Sequence, residues 1–67
     1  MGKWIELQGY MVNLNAFATI MRALDNQDPR YPFCIILDGS FKQVFKYMTE
    51  KKRDDIYNKI YNKLYRE

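Results

Sequence analysis

"NAFATIMRAL", residues 15–24, reads two ways, and the architecture turns on the choice. As a helix, Phe17, Ile20, Met21 and Leu24 follow the i, i+3, i+4, i+7 spacing of an amphipathic face, with Asn15 as N-cap. As a strand, Ala18, Ile20, Arg22 and Leu24 share one face and Thr19 and Met21 the other, a pattern with fewer strong strand formers. Local propensity favours the helix. An extended "ATIMRAL" would instead give the apolar run that follows a second sheet neighbour, and a lone hairpin is marginal in water.

On the N-terminal side, "WIELQ" alternates, placing Ile5 and Leu7 on one face and Glu6 and Gln8 on the other. Gln8-Gly9 supplies a reversal and "YMVNL" resumes the alternation, so residues 4–14 are a candidate β-hairpin. On the C-terminal side, "DNQDPRYP" (25–32) is a loop, since its two prolines forbid a continuing helix. Behind it "FCIIL" (33–37) runs into Asp38-Gly39, a strong hairpin signal, with "FKQVFKY" (41–47) as the return strand. From Thr49 the period changes to four, with Ile56, Ile60 and Leu64 in line, Thr49 as N-cap and acids preceding bases as the helix dipole prefers. The expectation is an α+β domain: a small antiparallel sheet of four or five strands built from hairpins, with one C-terminal amphipathic helix. A single domain over residues 1–67 is expected, β-rich over 4–47 and helical over 49–66.

At 67 residues the core is thin, and one cysteine with no histidine rules out an internal disulfide and the usual zinc ligand sets. Self-association is the remaining way to supplement such a core, so a homo-oligomer is expected. Cys34, inside "PFCIIL", reads as a small buried hydrophobe. The Met-Gly start lacks the Ser or Thr of a myristoylation motif, since Glu6 stands there. No run of signal-peptide or membrane-spanning length occurs, so a cytoplasmic protein without a membrane partner is expected.

The chemistry-bearing residues point away from catalysis and from cofactors. Histidine, the commonest general base, is missing, and neither a phosphate loop nor a nucleophile elbow is present. Asp54 and Asp55 are neighbours on a helix and suit its dipole, and Asp25 and Asp28 lack calcium-loop spacing. Charge is more informative. Of 11 basic and 8 acidic side chains, 3 and 4 fall in residues 1–40, leaving 8 and 4 in residues 41–67.

Two readings of the last helix follow. Ile56, Tyr57, Ile60, Tyr61 and Leu64 form a stripe that could meet a protein partner, a second copy included, or its own sheet, with Tyr57, Tyr61 and Tyr65 on one shoulder. Lys52, Lys59, Lys63 and Arg66 form a basic arc that could meet nucleic-acid phosphates, or could be an ordinary solvated face in which Asp55 pairs with Lys59. Trp4 and Tyr10 are either interface anchors or, for the tryptophan, a core residue on an edge strand. The leading expectation is a small non-enzymatic accessory or regulatory protein acting by protein binding, and the alternative is a small basic nucleic-acid-binding domain.

The succession "ELQGYMVNLN" (6–15), apolar segment, loop, "CIILDGS" (34–40), return strand and terminal helix resembles the FlbD family of small flagellar and swarming-motility proteins. The element order is also similar to that of the DNA-binding LytTR domain. The resemblance implies that residues 18–24 form a strand after a short helical turn. The loop at 25–32 and the tyrosine-rich helix depart from the FlbD pattern, and no site residue carries over.

Overall fold

The computed structural model describes residues 2–66. Its elements are β1 (Trp4–Leu7), β2 (Tyr10–Asn13), a 3-10 turn (Leu14–Ala16), β3 (Phe17–Leu24), β4 (Phe33–Gly39), β5 (Lys42–Tyr47) and α1 (Glu50–Tyr65). This is the expected α+β architecture, with every strand antiparallel to its neighbour. The five strands are shared between two sheets: a β1-β2 pair, and a three-stranded sheet with β4 in the middle.

"NAFATIMRAL" is a strand entered through a short helical turn. Asn15 caps no helix there; Asn13 does the capping, its Oδ1 accepting the Asn15 N–H at 3.1 Å. A β-bulge explains the helical spacing in the sequence. Phe17 lies opposite Gly39 and Thr19 opposite Asp38, so Ala18 is an extra residue that shifts the side-chain alternation by one. Phe17 and Ile20, three apart, therefore both pack on the core. Beyond the bulge the strand alternates normally, and Met21 turns to the other face.

In the first hairpin Ile5 faces Val12 and Leu7 faces Tyr10, leaving Gln8-Gly9 as a two-residue loop. Both loop residues have positive φ, 52° and 85°, the type I′ geometry whose twist matches the strands. The second hairpin spans residues 33–47 as expected, and its turn, which the sequence leaves open between two residues and three, has three: Gly39, Ser40 and Phe41 lie between the paired Asp38 and Lys42. Gly39 is at once the last residue of β4, paired with Phe17, and the first of the turn. Gly39 is required for another reason, since a Cβ there would stand 2.6 Å from the Ala16 carbonyl oxygen and 2.7 Å from Phe17 Cα. The register turns Phe45 and Tyr47 into the core and leaves Val44 outside. Phe41, at the turn, meets Phe17 edge-on with centroids 4.9 Å apart.

The core is formed by Leu7, Val12, Leu14, Ile35, Leu37, Phe45, Tyr47 and Ile60, so the first hairpin and α1 cover one face of the larger sheet. Thr49 caps α1, its Oγ1 accepting the Lys52 N–H at 3.2 Å. At the other end Lys3 Nζ donates to the Leu64 carbonyl at 2.6 Å, a cation where the helix dipole is negative.

Candidate protein-binding surface

Strand alternation assigns each side chain of the larger sheet to one of two faces. Ile20, Leu37, Ile35 and Phe45 point to the core. On the opposite face the register aligns Met21, Ile36 and Val44 in one row across the three strands. Met21 is 42% and Val44 43% exposed, Ile36 is half-buried between them, and none of the three packs against the core cluster formed by the described residues. On one side of it lie Thr19, Asp38 and Lys42, and on the other Ala23, Cys34 and Lys46. An apolar strip with charged borders is the arrangement of an interface centre and its rim.

The border at Lys46 is tied to the loop that joins β3 to β4. Lys46 Nζ lies 2.8 Å from Asp25 Oδ2 and 3.3 Å from Asp28 Oδ2, so an ammonium occupies the space between the two loop acids. Lys46 and then the Gln27 N–H hold the Asp25 carboxyl below its ordinary range, and the Tyr31 and Arg30 N–H groups, with Lys46, do the same for Asp28. The two carboxylates in turn raise the Lys46 ammonium, Asp25 the more. Cys34 is buried beside this loop, its Sγ 3.7 Å from the Pro32 carbonyl oxygen.

The helix stripe read from the sequence turns inward. Ile60 is fully buried, and Ile56, Tyr57 and Leu64 pack against the same core, because the thin sheet has only this apolar face to cover it. Of the five stripe residues only Tyr61 remains exposed, and its ring meets that of Tyr65 at a tilt of 54° with centroids 4.8 Å apart. Tyr57 leaves its neighbours and lies under the Arg22 guanidinium at 4.8 Å. In the basic arc Lys52, Lys59 and Arg66 are exposed and Lys63 is half-buried. Asp55 pairs with Lys51 at 3.1 Å, the residue one turn earlier, and not with Lys59. Trp4, 51% exposed, is no core residue, and Tyr10 is 64% exposed at the tip of the first hairpin.

Arg53 is the residue that sequence reading passed over. Inside the run "KKRDD" it looks like one more surface charge, yet only 6% of it is exposed. Its Nη1 donates to the Ala23 carbonyl at 3.0 Å, its Nε to Asp54 Oδ1 at 2.7 Å, and its guanidinium lies over Phe33 at 5.5 Å. Asp54 also meets Arg22 at 3.6 Å, so this acid bridges helix and sheet besides serving the dipole. The available signal was its position: Arg53 precedes Ile56, Tyr57 and Ile60 by three, four and seven, which puts it on the buried face.

Among the described residues no cavity opens, and no helix is long and apolar enough to cross a membrane. No family model, curated protein or solved structure matches the chain.

Proposed function

We propose that this chain is a small cytosolic accessory or regulatory protein that works by binding another protein and carries out no chemistry of its own. The observation that carries the reading is the exposed row Met21, Ile36 and Val44 on a three-stranded sheet whose other face carries the core. A sheet needs partners on both faces unless one is polar, and this one is apolar at its centre. Kinship with FlbD-like motility proteins, expected from the order of elements, belongs to the same proposal.

Val44→Glu tests it, because Val44 touches none of the core and the variant should fold. A protein partner retained by the native chain and lost by Val44→Glu, with Lys59→Glu binding as well as native, supports the reading. If Val44→Glu keeps every contact of the native chain, the row is not the binding surface. The nucleic-acid alternative rests on Lys52 and Lys59, exposed and without a carboxylate partner among the described residues. Duplex binding that weakens steeply with salt and is lost in Lys59→Glu would put that reading in its place.

A further inference from the structure

The two edges of the larger sheet are treated differently. At β5 the strand carries Lys42 and Lys46, and Gln8 Nε2 from the first hairpin donates to the Lys46 carbonyl at 2.7 Å. β3 is less guarded: past the bulge at Ala18 it runs unbroken from Thr19 to Leu24 with no proline or lysine, and its one charge, Arg22, leans onto Tyr57 and Asp54. Long unguarded edges are templates for another strand.

The ladder shows which groups are free. The Asp25 N–H donates to the Pro32 carbonyl at 2.7 Å, and Ala23 with Cys34 and Met21 with Ile36 continue that register. Antiparallel pairs alternate between bonded and non-bonded, so these are the bonded pairs and the N–H and C=O groups of Ile20, Arg22 and Leu24 point away from β4. Among the described residues none of those groups has a hydrogen-bond partner.

We propose that this edge pairs with the same edge of a second copy, antiparallel about a two-fold axis through Met21, to make a continuous six-stranded sheet. The inference rests on the reading that the chain works through protein contacts, and names one partner. Self-pairing narrows the register to a few axes. An axis through Met21 puts Ile20 opposite the second copy's Arg22 twice, as bonded pairs on the helix-covered face. An axis through Arg22 would oppose two like charges, which is destabilising, and one through Ile20 would bring Arg22 to the bulge at Ala18, where pairing is broken. With the axis at Met21, the two exposed methionines meet in a close non-bonded pair. The rows Val44, Ile36, Met21 of both copies then join into one apolar strip, doubling a surface that a single chain presents only as three residues. The contact also supplies the extra burial that a thin, unstapled core lacks.

The test is molar mass by light scattering behind a sizing column for the native chain, Met21→Lys, Met21→Asp and an equimolar mixture of the two variants. The expected result is a native dimer, each variant alone about tenfold or more weaker in association, and recovery of the dimer in the mixture. Amide exchange gives a second readout that needs no variant: the Ile20 and Arg22 N–H groups should be protected in the native dimer. A native monomer, or a dimer in which those amides exchange freely, overturns the proposal. If a monomer still binds a protein partner through Val44, the functional reading stands and only the self-pairing falls.

Discussion

The guanidinium of Arg53 donates to the main-chain carbonyl of Ala23 at 3.0 Å and reaches within 3.5 Å of the Cys34 carbonyl, the residue paired with Ala23 across the β3-β4 ladder. One side chain thus fastens the first turns of α1 to two strands, in a setting where a buried charge has every donor group close to an acceptor or a ring. Arg53→Met keeps most of the packing and removes the bonds. The expected loss is about 1–3 kcal/mol, read as a lower urea midpoint, and Arg53→Lys should fall between the two. An unchanged midpoint for Arg53→Met would show that the contact is incidental.

Gly39 and Gly9 should respond differently to alanine. At Gly39 the new methyl meets backbone atoms of Ala16 and Phe17 that cannot move without breaking the start of β3. At Gly9 there is open space and only the positive φ to oppose a side chain. Gly9→Ala is expected to cost about 1 kcal/mol and Gly39→Ala clearly more, as compared by thermal unfolding. Equal losses would contradict the close crossing of the two backbones.

The Lys46 cluster predicts a pH dependence with a definite sign. Asp25 and Asp28 have lowered values in the fold, so their contribution is present above the ordinary carboxylate value of 3.8 and disappears as pH falls through the lowered ones. Lys46 has a raised value, so its contribution is present below 10.5 and is lost as pH rises beyond it. Burial also raises the Tyr47 phenol, and unfolding is favoured in alkali because the unfolded phenol ionises first. The difference in melting temperature between native and Lys46→Met should be flat through the neutral range and shrink below pH 3.8. A difference that persists unchanged in strong acid would mean that the loop acids are not its source.

On α1, Ile60→Ala should cost about 2–5 kcal/mol, since Ile60 is fully enclosed. Tyr61→Ala removes an exposed ring that meets another exposed ring at a tilt and should cost about 1 kcal/mol or less. Thr49→Ala removes the helix cap and falls near 1 kcal/mol. If Tyr61→Ala proved more damaging than Ile60→Ala, the orientation of α1 on the sheet would be wrong.

The elements that signal themselves locally were legible in the sequence: the alternation of β1 and β2, the two prolines of the loop, the period of four in α1 and its cap at Thr49. What misled were residues whose roles depend on distant ones. Phe17 and Ile20 mimic a helical face because an extra residue at Ala18 restores their common side, and a bulge is defined by its partner strand, which local propensity does not register. Asp38-Gly39 does mark the turn, but the glycine answers to the approach of Ala16, remote in sequence. The exposed row was hidden likewise, since Met21, Ile36 and Val44 come from three strands and meet only once the register is known. The helix stripe was visible, and its apolar character was real, but the sequence could not distinguish its own sheet from another protein as the surface it meets.

The burial of Cys34 makes the molecule its own clock. With 4% of the residue exposed, its Sγ beside the Pro32 carbonyl and its own carbonyl under Arg53, a thiol reagent reaches the sulfur only after an opening, local to the β3-β4 seam or of the whole domain. In the single-cysteine chain each modification event therefore reports on one known place. Followed over time in native chain and in Arg53→Met, the labelling rate would separate how often that seam breathes from how stable the whole domain is, without any added probe.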